Sequence, residues 1–169
     1  DFLVACAVTL WSSLGYSNSC YGHNSAEPSH PPDPGTCLPV FSRFLEPACG
    51  DGNFLSAILK RKLTELRRKY KKSPRDYEKQ AIVAIGSLYG VDIMNDNVLA
   101  CRERLFAIWD EEYTTHCKGD ASDEAREAAR FIIGRNIING NALTLMCVDN
   151  EGKDTEAPIV FSEWTLISG

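Results

Sequence analysis

The sequence lacks several patterns that would assign it to a common class of small protein. Its 7 cysteines are odd in number and widely scattered, and no C-x-x-C pair indicates a zinc site or a redox motif. Its 3 histidines show no metal-ligand spacing either. The composition therefore predicts reduced thiols, a cytoplasmic protein and no bound metal.

Long apolar runs are also absent. Residues 2–11 form an apolar run of about ten residues, whereas a helix that crosses a bilayer needs roughly twenty. The run has the length of a signal-peptide core but lacks the basic start and the initiator Met of such a segment. We therefore predict a buried helix or strand there and no membrane partner.

Negative charge exceeds positive charge, since the formal net charge at pH 7 is -5. Binding of nucleic acid through bulk positive charge is thereby disfavoured, and any such contact has to be local. One dense basic stretch lies at residues 60–72. It falls on a predicted amphipathic helix, where a solvated face is favoured over phosphate contact.

At 169 residues, the chain suits one domain with a substantial core. Residues 1–40 are predicted to be an arm or linker, because residues 12–39 are rich in Ser, Gly, Pro, Asn and His. Beyond residue 40, predicted strands alternate with predicted helices. The strands are predicted at 41–45, 87–93, 136–143 and 158–161. The helices are predicted at 53–72, 74–85, 98–109 and 124–133. This alternation predicts a mostly parallel sheet with helices on both faces.

A Gly-rich turn lies between the first strand and the first helix of this region. Such a turn lets backbone N–H groups at a helix N-terminus approach a ligand closely. The pair Gly50 and Gly52 is a weak signal by itself. No G-x-x-x-x-G-K-[ST] pattern is present, and Leu55 stands where the dinucleotide fingerprint has its third glycine. A phosphate loop and a dinucleotide turn are therefore disfavoured.

The full turn, residues 44–55, reads FLEPACGDGNFL. It resembles the first motif of the adenine-N6 DNA methyltransferases, class I enzymes that use S-adenosylmethionine. The resemblance implies that Gly50 and Gly52 curve around the methionine part of the cofactor and that Glu46 lies near its amino group. It assigns four further residues of the turn to the cofactor: Pro47, Ala48, Asn53 and Phe54.

Two later segments resemble the second and third motifs of that family. Residues 89–93, YGVDI, end a predicted strand; the resemblance implies that Asp92 accepts hydrogen bonds from two ribose hydroxyls and that Ile93 packs on the adenine ring. Residues 136–143, NIINGNAL, carry Asn141 where the family usually has Asp. Asn141 is implied to contact the adenine edge, with turn formation as the alternative. The same motif assigns two residues to the pocket lining: Ala142 and Leu143.

The fourth motif of the family is not recognisable. In the family, a strand delivers Asn or Asp, two prolines and an aromatic residue, which hold and stack on a flipped base. After residues 159–161 this chain has Ser162, Glu163 and Trp164 instead. Ser162 or Glu163 can accept a hydrogen bond and Trp164 can stack, so these three are candidate catalytic residues, with a plain loop as the alternative.

The resemblance implies that residues 41–169 form a Rossmann-like, doubly wound α/β sheet of the class I methyltransferase type. The cofactor would lie at the carboxyl ends of the strands. The expected function is S-adenosylmethionine-dependent methylation of DNA adenine at N6, in a restriction-modification context.

Two alternatives stay open: a catalytically degenerate module that acts as a partner or specificity subunit, and methylation of RNA or a protein amide. We expect the sheet to be incomplete at its C-terminus, so that a partner subunit or a missing C-terminal region would complete it.

Overall fold

The computed structural model describes residues 4–8, as backbone alone, and residues 42–166. Most of the predicted arm therefore lies outside the described residues, together with Cys20, Cys37 and two of the histidines. Within the apolar run at 2–11, Val4–Val8 forms a strand, which is the strand alternative of that prediction. Phe41, predicted to open the next strand, lies outside the described residues.

The described ranges contain seven strands and four α-helices. The strands are β1 (Val4–Val8), β2 (Phe44–Glu46), β3 (Leu88–Asp92), β4 (Ile137–Asn141), β5 (Met146–Val148), β6 (Asp154–Pro158) and β7 (Phe161–Thr165). The helices are α1 (Asn53–Lys69), α2 (Pro74–Gly86), α3 (Asn95–Cys117) and α4 (Asp123–Asn136), with a short 3-10 turn, Lys118–Asp120, before α4. None of these helices combines the length and apolar character needed to cross a membrane.

Five strands form one sheet in the order β2-β3-β4-β5-β6, and β1 pairs with β7 in a separate antiparallel ribbon. The first three strands of the sheet are parallel, whereas β5 and β6 are antiparallel to their neighbours. The α/β class is therefore confirmed. The single strand predicted at 158–161 is wrong, because β6 ends at Pro158 and β7 begins at Phe161.

Helix α3 is longer than its predicted range of 98–109. Its buried side chains continue at helical spacing beyond Leu105, through Trp109, Tyr113 and Cys117. The aromatic rings of Trp109 and Tyr113 stack with centroids 4.7 Å apart, and Trp109 Nε1 donates to the carbonyl of Ala81 on α2 at 3.0 Å. Beyond residue 109, Tyr113 Oη donates to Glu78 and Cys117 Sγ donates to the carbonyl of Pro74, so the extension connects α3 to α2.

The four helices pack against one another and form one layer. Two successive right-handed crossovers that move in the same direction along a sheet place their helices on the same face. Helical cover on both faces, which the alternation predicted, is therefore not found in the described part of the chain. On the other side of β3, the Tyr89 ring meets Phe161 of β7 edge-on, with centroids 5.2 Å apart.

Candidate functional site

The carboxyl ends of the three parallel strands bring several predicted residues to one edge of the sheet. Strand β2 ends at Glu46, which pairs with Gly90, and β3 ends at Asp92, which pairs with Asn139. Strand β4 continues two residues further to Asn141. The edge where these strands end is the place where open α/β sheets bind ligands.

The Gly-rich turn folds onto the end of β3. The Cys49 N–H donates to the carbonyl of Val91 at 2.9 Å, and the Gly50 N–H donates to Asp92 Oδ2 at 2.9 Å. Gly50 and Gly52 have φ angles of 52° and 86°, in the left-handed region that favours glycine. The two glycines therefore allow the chain to bend sharply beside the Asp92 carboxylate.

Asp92 is half-buried and is the centre of this hydrogen-bond arrangement. Besides the Gly50 N–H, its carboxylate accepts bonds from the Met94 N–H at 2.9 Å and from Asn97 Nδ2 at 3.2 Å, both at Oδ1. A carboxylate has about four acceptor positions on its two oxygens. Oδ2 therefore keeps one position for a further donor.

The N-terminus of α1 points its first backbone N–H groups toward the same turn. The Ser56 N–H bonds to the Gly52 carbonyl at 2.8 Å, but no side chain caps the helix and its first turn contains no acidic residue. Asp51 instead pairs with Arg104 at 2.7 Å. An uncapped helix N-terminus favours a negatively charged or hydrogen-bond-accepting group.

Apolar side chains are exposed around this edge. Of the eight large apolar side chains exposed in the described residues, five lie at the ends of β3 and β4 or at the start of α1. They are Phe54, Ile93, Met94, Leu143 and Leu145. Exposed apolar groups beside polar, directional ones are typical of small-molecule sites.

Asn141 is used within the turn between β4 and β5. Its Oδ1 accepts from the Leu143 N–H at 3.0 Å, and its Nδ2 donates to Asp154 at 3.2 Å. This is the turn-forming alternative of the sequence analysis. Ala142 is half-buried in that turn, and Leu143 is 96% exposed.

Asn139 is a residue of this edge that the sequence analysis missed. Its Nδ2 donates to the carbonyls of Asp92 at 2.9 Å and Ile93 at 3.0 Å. It therefore fixes the backbone on which both predicted ligand residues stand. The signal is its position opposite Asp92 in the β3–β4 pairing, which depends on strand register and cannot be taken from the sequence alone.

The other predicted residues of the Gly-rich turn make fewer contacts with the rest of this edge. Glu46 is half-buried at the end of β2, whereas Pro47, Ala48 and Phe54 are exposed. Asn53 donates from Nδ2 to Asp51 at 2.8 Å and accepts from Arg104. The Asp51, Asn53 and Arg104 side chains thus brace the turn against α3.

Ser162, Glu163 and Trp164 lie at the opposite ends of the strands. The Ser162 carbonyl accepts from Tyr89 Oη at 3.0 Å, and Glu163 pairs with Arg43 at 2.8 Å. Trp164 Nε1 donates to Asn136 Oδ1 at 2.8 Å. Asn136 and Arg43 precede β4 and β2, so these contacts mark the amino ends of the sheet.

The separation between the two ends is set by the strands themselves. Strand β3 has five residues from Leu88 to Asp92, and a rise of about 3.3 Å per residue makes it about 13 Å long. The structure therefore does not bring Ser162, Glu163 and Trp164 together with the residues assigned to the cofactor.

A cavity of about 420 Å³ lies elsewhere, at the turn between α1 and α2. Its charged lining combines Lys72 and Arg75 with Glu78 and Asp120, so opposite charges offset one another there. Within the described ranges, no group of three or more His, Cys, Asp or Glu side chains is placed to hold a metal ion. No family model, curated protein or solved structure matches this chain.

Proposed function

We propose that this chain binds S-adenosylmethionine at the carboxyl ends of β2, β3 and β4, in a Rossmann-like sheet of the class I methyltransferase type. The observation that carries the proposal is the hydrogen bond of 2.9 Å from the Gly50 N–H to Asp92. It joins the Gly-rich turn to the acid at the end of the next strand, which are the two features that the resemblance assigns to the cofactor.

The donors and acceptors of this edge fit the groups of the cofactor. The free position on Asp92 Oδ2 accepts one ribose hydroxyl, and a second hydroxyl replaces the Asn97 amide, whose bond of 3.2 Å is the longest at that carboxylate. The uncapped N-terminus of α1 faces the methionine part, whose carboxylate it favours. Ile93, 44% exposed, is available for the adenine ring.

The acceptor of the methyl group is proposed to be DNA adenine at N6, and this step rests on the resemblance alone. If transfer occurs, it is a direct displacement at the sulfonium that depends on holding donor and amine in line. A restriction-modification context follows from the same resemblance.

A second candidate function is a module that keeps the cofactor fold without catalysis, as a partner or specificity subunit. The observation that favours it is the position of Ser162, Glu163 and Trp164 at the amino ends of the strands, where Trp164 bonds to Asn136. None of the three then faces the proposed cofactor.

Calorimetric titration with S-adenosylmethionine and S-adenosylhomocysteine tests the cofactor proposal. Replacing Asp92 by Ala removes the ribose acceptor, and we expect the dissociation constant to rise at least about tenfold, since bonds to a charged group contribute about 1.5–3 kcal/mol. Asp96→Ala is the matched control, because it removes an exposed carboxylate from the first turn of α3. Its affinity should stay within about threefold of the wild type.

The outcomes separate the candidates. No binding by a wild-type protein whose circular dichroism shows it folded would refute the cofactor proposal, as would equal binding by Asp92→Ala. Cofactor binding with incorporation of labelled methyl into DNA supports the enzyme, provided that incorporation is lost in Asp92→Ala. Binding without incorporation supports the non-catalytic module.

A further inference from the structure

Basic side chains are concentrated in one part of the helical layer. Residues 60–79 contain ten of the 18 Lys and Arg residues of the chain but only three of its 23 Asp and Glu residues. The rest of the chain therefore has an excess of twelve negative charges. Nine of the ten basic side chains are exposed and form what we call the basic surface: Lys60, Arg61, Arg67, Arg68, Lys69, Lys71, Lys72, Arg75 and Lys79.

Four of these side chains lie on one face of α1: Lys60, Arg61, Arg67 and Arg68. At about 100° per residue they fall within an arc of about 120°. The first pair is about 10.5 Å from the second along the helix axis, because each residue rises by about 1.5 Å. The charge excess is largest on this face, since Lys72 and Arg75 share a cavity lining with Glu78 and Asp120.

The acidic side chains of the fold neutralise little of the basic surface. Within the described residues, two of its nine side chains form ion pairs, Arg67 with Glu112 at 3.5 Å and Arg68 with Glu65 at 2.8 Å. Ion pairs at the surface contribute little to stability, so another anion can replace the carboxylate. Elsewhere in the described chain, half of the eight basic side chains form ion pairs: Arg43, Arg104, Arg126 and Lys153. The fold therefore leaves most of the charge of the basic surface unbalanced.

The basic face of α1 lies away from the Gly-rich turn. Lys62, which stands between its two pairs, donates to the Ser42 carbonyl and to Ser87 Oγ, and these two residues precede β2 and β3. The face is therefore level with the amino ends of the strands. It begins about 10 Å from the N-terminus of α1 and continues to the other end of the helix.

A duplex backbone fits this surface better than a membrane or a single strand does. Helices that bind membrane surfaces have large apolar side chains beside the basic ones, but the eight large exposed apolar side chains of the described residues all lie outside residues 60–79. Single strands stack on exposed aromatic rings, and Tyr70 is half-buried. Successive phosphates of a DNA strand rise by about 3.4 Å, so the two pairs on α1 are separated by about three phosphates.

We propose that the basic surface binds the phosphate backbone of duplex DNA without reading its sequence, with α1 against the backbone. Four phosphates pair with the four cations on the face of α1, and the pairs with Glu65 and Glu112 open in exchange. Because the chain as a whole is acidic, the attraction is local and falls steeply with salt. The inference does not rest on the proposed function, since the surface is separate from Asp92.

Fluorescence anisotropy of a labelled DNA duplex, titrated with the full chain in the absence of cofactor, tests the proposal. For four phosphates, the logarithm of affinity should fall against the logarithm of salt with a slope of about -3.6, a loss of about 150-fold between about 50 and 200 mM. Changing Lys60 and Arg61 to Gln together should weaken binding at least about tenfold and reduce the slope to about -1.8. Both residues are exposed and Gln is a good helix former, so the variant should fold.

The matched control changes Arg135 and Lys153 to Gln, which removes the same charge from exposed positions outside the basic surface. Its affinity for the duplex should stay within about threefold of the wild type. Equal weakening in the control would show that overall charge drives binding and would overturn the proposal. So would a wild type that leaves the duplex unbound at about 50 mM salt, a result that needs no variant.

Two further measurements separate this surface from other partners and from the cofactor site. Tighter binding of an acidic peptide or of phosphatidylserine vesicles than of the duplex would assign the surface to another partner and refute the DNA proposal. Asp92→Ala should bind the duplex as the wild type does, even if S-adenosylmethionine does not bind at all. Loss of duplex binding in folded Asp92→Ala would place the DNA at the carboxyl ends and contradict the basic surface.

Discussion

The two ends of the parallel strands are constructed in different ways. At the amino ends, Asn136 is 1% exposed and bonds to Gly86, Leu88 and Trp164. At the carboxyl ends, Asp92 is half-buried and holds the N–H groups of Gly50 and Met94. Buried polar groups are satisfied at the first end, whereas polar groups and apolar side chains face solvent at the second.

This difference indicates that the two ends of the sheet have different roles. Buried, fully paired networks rigidify a core and are costly to disturb, so the amino ends contribute to folding stability. Half-exposed acceptors and donors beside exposed apolar groups contribute little to stability and are available to a ligand. The comparison predicts that substitutions of exposed side chains at the carboxyl ends affect ligand binding, whereas substitutions of buried positions affect stability.

The largest effect should come from Gly52→Ala, which tests whether the carboxyl end is tightly packed below its turn. Alanine at a φ of 86° is strained, and its Cβ would lie 2.7 Å from Cys101 Sγ and 3.3 Å from Cys101 Cα. We expect a loss of about 3 kcal/mol in the free energy of unfolding, measured by urea denaturation.

Gly50→Ala is the matched control, because Gly50 also has a positive φ but no atom within 4 Å of its Cβ position. It should lose only about 1 kcal/mol, from backbone strain. Equal losses for the two variants would show that the contact with Cys101 does not limit the turn.

The second effect concerns a buried lysine at the amino ends. Lys62 is 1% exposed, donates to Ser87 Oγ at 2.7 Å and to the Ser42 carbonyl, and burial lowers its pKa from 10.5 to about 7. The folded state therefore binds fewer protons than the unfolded chain between those pKa values, and stability rises with pH in that window.

From pH 7 to pH 9, we expect the wild type to gain about 2 kcal/mol relative to Lys62→Met, since one proton changes stability by about 1.4 kcal/mol per pH unit. Urea denaturation at several pH values measures the gain. Lys60→Met, on the exposed face of α1, should follow the wild type. Parallel curves for the wild type and Lys62→Met would contradict the assignment.

The third effect is similar in size to the second and sharpens the comparison most directly. Asn136→Ala removes three hydrogen bonds and leaves Trp164 Nε1 without its acceptor, so we expect a loss of about 2 kcal/mol in stability. The affinity for S-adenosylhomocysteine should stay within about twofold, because the residue lies at the far end of the sheet. A tenfold weaker affinity in the folded variant would show that the two ends are coupled.

Much of the local structure could be predicted from the sequence. The start of α1 at Asn53 and of α2 at Pro74 agree with the predictions, because glycine and proline act through their own backbone constraints. The end of β3 at Asp92 was likewise predicted, since an acid after a buried run marks a strand end. The lengths of α3 and β7 were not, because packing of Tyr113 and Trp164 against distant elements extends them.

Some features of the candidate site could likewise be predicted from the sequence, whereas others could not. That Gly50 and Asp92 lie close together follows from two adjacent parallel strands, and the sequence order of strand and helix suggests that arrangement. The role of Asn139 and the position of Trp164 depend on which strands pair and in which register. Pairing is decided by contacts between residues far apart in the chain, and local pattern contains no information on it.

By itself, the sequence determined the elements: the apolar spacing of the helices, the glycine turn after β2 and the acid at the end of β3. Only the tertiary structure decided that Ser162, Glu163 and Trp164 lie at the amino ends and that Cys101 packs against Gly52. The physical reason is the distance along the chain over which each kind of interaction acts. Backbone preference and periodicity act over a few residues, whereas the side on which a strand packs is fixed by burial and hydrogen bonding across the whole domain.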